Sequence, residues 1–495
     1  MVGQNCLGGR SLRPEQPWYV RSHSLDHRTG TEIFTALYGH HLQHPPRIDN
    51  LVALLESPYP LPVKAQPYHS HNRYSLCAGP PRLGADGSPK VWTPGPGDIL
   101  PTLTNRLGEG PRLPLLGPES SLAEATLPFT GGWLGWLGYD LAWEIEQLPT
   151  LKSDPLPFPV ALWYEPTSFA VLDHRHQRLW LAASSLLELD HLDKQLSSVE
   201  DQSWGNPIPS DSAPLVLEMT QQDYKAAVIK AKQHIQAGDV FQVNLSLRFT
   251  TQTRAHSWQL YRKLHHINPS PFACYWRTPW GDMISCSPER LIQLQENQAQ
   301  TRPIAGTRPR GETAQQDGHL AQTLLTNPKE RAEHIMLVDL ERNDLGRVCD
   351  WGSVQVDELL TVEYYSHVMH LVSNVTGQMQ SGKSAVDLIR AVFPGGTITG
   401  CPKVRCMEII EALEPVRRSL FYGSCGYLDR RGNLDLNILI RTLLVGHSKE
   451  DDQPAPVWGQ VGAGIVADSD PHREWLESLQ KAKAQLLALG LITEP

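Results

Sequence analysis

A glycine-rich segment, residues 393–403 (FPGGTITGCPK), has residue types and spacing that indicate chemistry. Gly395 and Gly400 have the spacing of a nucleotide phosphate loop, but Cys401-Pro402 stands where that motif requires Lys followed by Ser or Thr. The segment therefore argues against an NTPase. A glycine turn that enters a helix still presents backbone N–H groups to an anion. A tight turn with no ligand is the alternative interpretation.

Basic side chains near glycine turns favour a substrate that carries a carboxylate or a phosphate. They are Arg302, Arg308, Arg310, Lys403, Arg405 and Arg441. A second glycine segment, residues 461–466 (VGAGIV), would let the backbone approach a ligand closely, and a strand corner explains it equally well. From the residues alone, the sequence predicts an anion-binding enzyme of unspecified chemistry.

Two glutamates and two histidines are candidates for metal binding or proton transfer. Glu333 and Glu477 lie in predicted helices, where a solvated helix face is the default interpretation. If they were paired across a cleft they would form a hard oxygen site suited to Mg²⁺. His367 and His370 lack a carboxylate at zinc-site spacing. A single buried histidine that moves protons is the better interpretation.

The elements that must position these groups alternate between helices and paired strands. Thr220 and Asp223 resemble a capping box at the start of a helix, and Asp470 with Pro471 resembles another helix start. The predicted helices cover 221–237, 328–344, 384–392, 404–413 and 471–488, and the predicted strands cover 161–164, 168–172, 271–277, 281–286, 290–295, 299–304, 423–428 and 434–443. Antiparallel pairs with interspersed helices predict an α+β fold.

Composition limits the class of protein. The 495 residues include 40% apolar residues and carry a net charge of −9, which argues against nucleic-acid binding. The sequence contains no run of about 18 apolar residues, so no membrane span is predicted. The eight cysteines form no paired framework, so we expect reduced thiols and a cytoplasmic protein. A polar, proline-rich stretch at 197–214 predicts a boundary between residues 1–205 and 215–490.

Ordered sequence blocks resemble those of chorismate-utilising enzymes, the synthase components that form anthranilate and aminodeoxychorismate, with isochorismate and salicylate synthases as more distant relatives. The blocks are GDVFQVNLSLRF (238–249), SPERL (287–291), RPIAGTRPRG (302–311), ERAEHIMLVDLERNDLGRV (330–348), SHVMHLVS (366–373), FPGGTITGCPKVRCMEII (393–410), GYLDRRGNLDLNILIRTL (426–443) and GAGIVADSDP (462–471). Residues 1–200 match more loosely, through LLES (54–57), NRYS (72–75) and PFTGGWLGWLGYDL (128–141). The match covers nearly all of 220–490 and is very specific.

The resemblance implies a fold and a site. It implies two packed antiparallel β-sheets surrounded by helices, with chorismate and Mg²⁺ in a central cleft. The implied metal ligands are Glu333 and Glu477. The implied substrate-binding groups are Gly306, Thr307, Lys403, Arg441 and the backbone of Gly462, Ala463 and Gly464. The implied catalytic groups are Glu289, His370, Thr397 and Gln242, with Glu289 as the proton-transfer group.

Gln242 separates branches of this family. Relatives that form isochorismate and salicylate carry a lysine at this point, where it activates water. A glutamine cannot act as a general base, so the nucleophile is expected to be ammonia.

The ring position that is aminated depends on further residues. Asn244, Arg290 and Gly395-Gly396 resemble aminodeoxychorismate synthases, which serve para-aminobenzoate and folate synthesis. SHVMHLVS (366–373) and Ala305 resemble anthranilate synthases, because many aminodeoxychorismate synthases carry a nucleophilic lysine at the position of Ala305. Aminodeoxychorismate synthase is favoured, with anthranilate synthase as the alternative. A non-catalytic, chorismate-binding or regulatory paralogue is the alternative of another class.

Two partners follow from the resemblance. The cysteines do not form the G-x-C-x-G elbow of a glutaminase, so a separate glutamine amidotransferase subunit is expected to supply ammonia. LLES and NRYS resemble segments that form a tryptophan pocket, with Ser57 as a candidate contact. A buried structural turn explains them about as well. We expect bound tryptophan with little feedback inhibition.

Overall fold

Strands alternate with helices along most of the chain. The computed structural model describes residues 17–59, 73–108, 114–197, 213–365, 368–448 and 453–493. In chain order the strands are β1 (Trp18–Ser24), β2 (Val52–Glu56), β3 (Tyr74–Ala78), β4 (Val91–Trp92), β5 (Leu115–Leu116), β6 (Gly132–Leu137), β7 (Ala161–Tyr164), β8 (Ser168–Asp173), β9 (Arg178–Ala183), β10 (Val216–Leu217), β11 (Gln242–Thr253), β12 (Phe272–Thr278), β13 (Gly281–Ser287), β14 (Arg290–Gln295), β15 (Gln298–Thr301), β16 (Ile304–Pro309), β17 (Gln355–Tyr364), β18 (Val368–Gln378), β19 (Gly400–Cys401), β20 (Ser424–Asp429), β21 (Leu434–Asn437), β22 (Thr442–Val445) and β23 (Ala455–Ile465).

Helices cover the outer surfaces of the sheets. They are α1 (Gly30–Tyr38), α2 (Ile99–Gly108), α3 (Ser120–Thr126), α4 (Ala142–Ile145), α5 (Leu186–Ser197), α6 (Gln221–Gln236), α7 (Ser257–Ile267), α8 (Ala314–Thr326), α9 (Pro328–Gly346), α10 (Ala385–Val392), α11 (Gly396–Thr399), α12 (Lys403–Leu413) and α13 (Pro471–Ala488). The expected capping box is present, since Thr220 and Asp223 exchange hydrogen bonds of 3.2 and 3.4 Å. Asp470 caps α13 as predicted and accepts from two backbone N–H groups.

Two large sheets organise the molecule and confirm the predicted fold class. The first sheet has 13 strands, in the order β10-β11-β23-β22-β13-β12-β2-β3-β8-β9-β1-β5, with β19 beside β11. The second has 10 strands, in the order β16-β18-β15-β14-β21-β20-β6-β7-β4, with β17 beside β18. Neighbouring strands are antiparallel except β1 and β5, which are parallel.

The main hydrophobic core lies between the sheets. Trp136 on β6 and Trp276 on β12 are fully buried, and their rings meet edge to face at 5.6 Å. Such an aromatic pair contributes about 0.5–1.5 kcal/mol beyond the burial of its area. Separate apolar clusters hold α7 and α13 on the outer face of the first sheet.

Both sheets contain strands from each side of the predicted boundary. Strand β2 pairs with β12, and β6 pairs with β20. Residues 198–212, on which most of that boundary falls, lie outside the described residues. The boundary stays a prediction, but strands from before and after it share continuous sheets.

Two strand predictions were wrong in a way that matters for the site. The expected strand 434–443 ends at Asn437 in the second sheet and resumes at Thr442 in the first. The expected strand 299–304 is divided between β15 and β16. Alternation of apolar residues continues from Leu434 to Ile440, so periodicity alone did not reveal the change of sheet there. In the second case β15 and β16 belong to the same sheet, and Pro303 lies in the gap between them.

None of the helices in the described ranges combines the length and the apolarity that a membrane span requires.

Candidate active site

Arg441 lies where the chain passes from β21 to β22, between the two sheets. Its φ is +53°, a left-handed conformation that costs a non-glycine residue about 1–2 kcal/mol. Its Nη1 donates to the carbonyl of Lys481 at 2.8 Å, and burial lowers its pKa. None of the described carboxylates forms an ion pair with it. A half-buried guanidinium in this state is prepared to receive a ligand's carboxylate.

Lys481 adds a second positive charge that the sequence analysis missed. From α13 its Nζ donates to the carbonyl of Gly462 at 3.0 Å and lies 2.9 Å from Glu477 Oε1. The glycines expected to form a loop, Gly462 and Gly464, lie inside β23 and pair with Ser246 and Asn244 of β11.

Close approach explains both glycines. A Cβ on Gly462 would lie 2.4 Å from the carbonyl oxygen of Leu245, and a Cβ on Gly464 would lie 2.5 Å from Nε2 of Gln242. Ala463 between them is fully buried. The strand therefore presents bare backbone beside Gln242.

Two side-chain oxygens on β11 are buried without a hydrogen-bond donor among the described residues. They are Oε1 of Gln242 and Oδ1 of Asn244. The amide nitrogen of Asn244 donates to the carbonyl of Thr397 at 3.5 Å. Because an unpaired buried polar atom costs about 1–3 kcal/mol, such atoms are expected at a site that a ligand completes.

Glu289 is a buried acid that is protonated at neutral pH. Burial raises its pKa to about 8, against the opposing effects of the Thr397 hydroxyl and the Ile304 backbone. Thr397 lies in the short helix α11, and Ile304 begins β16. The structure therefore brings the predicted residues Glu289 and Thr397 together.

His370 on β18 is a buried, neutral imidazole. Burial lowers its pKa to about 4, and its Nδ1 lies 3.0 Å from the hydroxyl of Thr307 on β16. Gly306 forms a bulge between these paired strands at φ +64°, and a Cβ there would lie 2.7 Å from Leu324. The predicted residues Gly306, Thr307 and His370 thus form one unit. His367 lies outside the described residues.

Glu333 on α9 and Glu477 on α13 are close enough to influence each other. Burial raises the pKa of Glu333, and the charges of Glu330 and Glu477 raise it further against the opposing Lys329. Among the described residues no group of three or more side chains forms a metal site. The oxygen donors still fit Mg²⁺ in type, since repulsion between the carboxylates favours a cation. Their role as metal ligands stays a prediction.

A model of one protein family, described as chorismate binding enzyme, matches residues 109–487. The protein is a chorismate-binding enzyme. The matched region includes all the residues from Gln242 to Lys481 described above, which form the cleft, with Arg441 and Glu289 among them.

Similar proteins carry two different names. This chorismate-binding enzyme is 57% identical to an anthranilate synthase component I-like protein of Synechocystis sp., over 98% of this chain and 95% of that one. It is 46% identical to aminodeoxychorismate synthase component 1 of Bacillus subtilis, over 74% and 78%. It is 44% identical to anthranilate synthase component 1 of Thermus thermophilus, over the same shares.

A solved structure agrees with the fold. Anthranilate synthase component I of Streptococcus pneumoniae superposes with a TM-score of 0.69 at 29% identity, covering 87% of this chain and 95% of that one. The two-sheet architecture is therefore the family's architecture.

Lys403 is held inside the chorismate-binding enzyme by its own ion pair. Its Nζ lies 2.6 Å from Oδ2 of Asp344 and donates to the carbonyl of Val392 at 2.7 Å. These contacts fasten α12 to α9. A direct role in substrate binding stays a prediction, and it would require a rearrangement of this pair.

A buried ion pair that the sequence analysis missed supports the cleft wall. Arg418 donates to Glu414 at 2.6 Å, to the carbonyl of Asn244 at 2.8 Å and to the carbonyl of Ile398 at 2.8 Å. Glu414 accepts from the backbone N–H of Ser246 at 2.7 Å. The pair fixes β11 relative to α11 and so sets the positions of Asn244 and Thr397.

Ser57 lines a separate cavity of about 420 Å³ between the two sheets. Its hydroxyl donates to the carbonyl of Pro271 at 3.2 Å, and its backbone N–H donates to Ser75. Arg290 closes part of the wall and forms two hydrogen bonds with Asp435, at 2.9 and 2.8 Å. The LLES and NRYS segments therefore contribute to a real cavity, although residue 72 lies outside the described residues.

Proposed function

We propose that the protein is an aminodeoxychorismate synthase component I, which aminates chorismate with ammonia to give 4-amino-4-deoxychorismate for para-aminobenzoate and folate synthesis. The observation that carries this proposal is the amide of Gln242, buried beside Gly464 where a water-activating enzyme needs a base. Its unpaired Oε1 is an acceptor suited to the N–H groups of ammonia.

Substrate binding would use the positive charge at the junction of the sheets. Arg441 and Lys481 are placed to hold a carboxylate of chorismate beside the backbone of Gly462. Mg²⁺, held by Glu333 and Glu477, would neutralise the other carboxylate of the substrate and polarise it. The remaining chemistry then falls to the buried side chains of the cleft.

Glu289 would act as the acid that releases the ring hydroxyl. Its proton passes to that hydroxyl, which leaves as water, while the nitrogen of ammonia forms the new bond to the ring carbon. The aminated product then returns one proton to Glu289, so the cycle is balanced. A pKa of about 8 keeps the acid form available at neutral pH. His370, which is neutral and hydrogen-bonded to Thr307, would hold the side chains beside the chorismate ring in place.

Asn244, Arg290 and Gly395-Gly396 support aminodeoxychorismate as the product. Identities of 46% to an aminodeoxychorismate synthase and 44% to an anthranilate synthase do not separate the products, and the relative of 57% identity is named anthranilate synthase component I-like. Ala305, half-buried on β16, favours anthranilate synthase as the second candidate because it cannot form a covalent bond to the ring. In the preferred reaction, ammonia attacks directly in the space that a lysine side chain would fill.

A partner subunit is proposed as the source of ammonia. Cys425, whose surroundings came nearest to a glutaminase elbow, is buried in β20 with its sulfur 3.4 Å from that of Cys274. Burial raises its pKa well above the usual value, so it is a poor nucleophile. This supports a separate glutamine amidotransferase.

Tryptophan is proposed as the occupant of the cavity beside Ser57. Phe129, Phe272 and Tyr427 supply aromatic walls, and the volume of about 420 Å³ suits a single amino acid. Nη1 of Arg290 in the wall has no hydrogen-bond partner among the described residues, so it is available to a polar group of the ligand. The ligand is expected to be a fixed part of the structure.

A lyase-coupled assay tests the proposal. Purified protein with chorismate, Mg²⁺ and ammonium at alkaline pH should accumulate a product that retains the enolpyruvyl group. Adding an aminodeoxychorismate lyase should then release 4-aminobenzoate. Blue anthranilate fluorescence with stoichiometric pyruvate and no lyase would establish the alternative product. Failure to consume chorismate would instead support the non-catalytic paralogue.

A further inference from the structure

Glu341 is a buried carboxyl group that the proposed reaction does not use. It lies on α9 and is 5% exposed. Its Oε2 lies 2.9 Å from the hydroxyl of Thr301, and that same hydroxyl lies 3.1 Å from the carbonyl of Leu291. A buried acid with a single hydroxyl contact is poorly stabilised as an anion, and burial raises its pKa to about 7.

The Thr301 hydroxyl accommodates both ionisation states of Glu341. A hydroxyl has one hydrogen, so it cannot donate fully to two oxygens at once. When it donates to the Leu291 carbonyl, Glu341 must carry a proton and donate to the hydroxyl. When Glu341 is ionised, the hydroxyl turns to the carboxylate. Titration of Glu341 therefore needs no movement of the backbone.

Glu341 stands behind the turn that carries a cleft residue. A Cβ on Gly396 would lie 3.6 Å from Oε1 of Glu341 and 2.1 Å from Leu340, so α9 packs directly against this turn. Thr397 follows Gly396 and lies near enough to Glu289 to lower its pKa, although its hydroxyl has no hydrogen-bond partner among the described residues. Leu291, reached from Glu341 through Thr301, lies two residues after Glu289. The two acids thus lie on either side of the Gly396–Thr397 segment.

Glu289 and Glu341 have different charged neighbours. Glu289 faces Lys481 of α13, which favours its ionised form. Glu341 faces Asp344, which opposes ionisation, and Lys403, which favours it. Asp344 is itself bound to Lys403 at 2.6 Å. The negative charge of Glu341 raises the pKa of Glu289, so the proton on one acid depends on the state of the other.

We propose that Glu341 is a positioning residue for the proposed reaction, which keeps the proton on Glu289 through repulsion between two buried carboxyl groups on opposite sides of the Gly396–Thr397 turn. The charge of ionised Glu341 opposes ionisation of Glu289. This inference rests on the proposed function only for its effect on turnover, since the repulsion exists in the resting protein.

The test compares Glu341→Gln with Asp339→Asn, an exposed carboxylate on the same helix that pairs with Arg342. Glu341→Gln should move the alkaline decline of kcat to lower pH by about one unit, the usual size of a pKa change from a neighbouring charge. Asp339→Asn should leave it in place. Glu341→Ala removes the same charge without placing a new amide group in the buried site. It replaces the glutamine variant in the test if that variant fails to fold.

Infrared titration of protonated carboxyl groups gives a readout that needs no turnover. Because burial also raises the pKa values of Asp140 and Asp344, the readout is the difference between the wild type and the variant. Glu341→Gln should lack one of the wild-type carboxylic acid bands, and the last titration step should have a lower midpoint in the variant. An unchanged midpoint in the folded variants would overturn the inference. If the wild type does not turn over chorismate, the proposed function fails, while the infrared midpoint still decides whether the two acids are coupled.

Discussion

The cleft around Arg441 and the cavity around Ser57 lie in the same structure but differ in whether their charged side chains are paired within the protein. In the cleft, Arg441 lacks a carboxylate among the described residues, and Oε1 of Gln242 lacks a donor. In the cavity wall, Arg290 is paired with Asp435 and Ser57 is hydrogen-bonded to Pro271. The cleft therefore leaves a guanidinium without a carboxylate, whereas the cavity wall pairs Arg290 with Asp435 and leaves Nη1 of Arg290 without a partner among the described residues.

The backbone conformation also differs between the cleft and the cavity. Arg441 has a left-handed φ at the crossing between sheets, and Gly306 forms a bulge opposite His370. Near the cavity, β2 and β12 pair in unbroken register from Glu56 to Val52. Arg441 is thus a strained residue at the place where the chemistry is proposed, whereas regular pairing supports the cavity.

The largest expected effect comes from Glu333 and Glu477, the proposed metal ligands. Glu333→Gln and Glu477→Gln should each lower Mg²⁺-dependent kcat/KM by about 100-fold or more, equivalent to about 2.7 kcal/mol of transition-state stabilisation. Both residues lie on helices, where glutamine is well tolerated, so the fold should remain. Asp339→Asn on α9 is the control. Near-normal turnover at ordinary Mg²⁺ in both variants would remove the metal assignment.

Arg441 tests the incomplete cleft directly. Arg441→Ala should lower kcat/KM by about 10- to 100-fold, because a hydrogen bond to a charged group contributes about 1.5–3 kcal/mol. Arg342→Ala, which removes an exposed arginine, should have no comparable effect. Arg441→Lys should recover part of the loss, since a charge remains without the planar fork. Equal activity of the alanine variant and the wild type would show that the cleft binds its substrate elsewhere.

Because Glu289 is proposed to act as an acid, we expect kcat to decline at alkaline pH. The acid form is needed for turnover, and its pKa is about 8, so kcat should fall about tenfold per pH unit above that value. The same raised pKa means that Glu289 favours the folded state below its usual pKa and that this contribution is lost as the pH rises through about 8. A pH series of kcat and of thermal unfolding checks both effects. A flat kcat between pH 7 and about 9.5 would exclude Glu289 as the acid.

Gln242→Lys should produce a smaller change, the appearance of traces of an isochorismate-type product. The lysine must be desolvated enough to lose its proton and activate water. Chromatography of the products, with and without ammonium, measures the effect. An unaltered product spectrum from an active variant would mean that Gln242 does not select the nucleophile.

Tryptophan should have the smallest effect on rate. Because the Ser57 cavity is separate from the cleft and is supported by regularly paired strands, bound tryptophan should purify with the protein and inhibit little. Mass spectrometry of the denatured protein and an inhibition curve check both points. Strong inhibition by micromolar tryptophan would favour anthranilate synthase and make the cavity a regulatory site.

Local signals in the sequence predicted the elements well where capping chemistry fixes their ends. Thr220, Asp223, Asp470 and Pro471 marked the starts of α6 and α13 because their side chains satisfy nearby backbone groups. The break after Asn437 was not predictable in this way. It depends on two sheets meeting, which alternation along one strand does not express.

The cleft residues also divide into those that the sequence predicted and those that it did not. Ordered family blocks predicted Glu289, His370, Gln242 and Arg441, and the structure brings these residues to the region between the sheets. Lys481 and Arg418 were missed because each acts through carbonyl groups, of Gly462 and Asn244 respectively, that lie far away in sequence. A lysine on a helix and an arginine in a loop give no local signal of such contacts.

The position of the new nitrogen on the ring tests the central claim most directly. Chorismate, Mg²⁺ and ¹⁵N-labelled ammonium should be incubated with the protein, and the labelled product followed by NMR as it forms. The account predicts nitrogen on the carbon that carried the hydroxyl, with the enolpyruvyl group retained. Nitrogen beside the carbon that bears the ring carboxylate, accompanied by release of pyruvate, would contradict it.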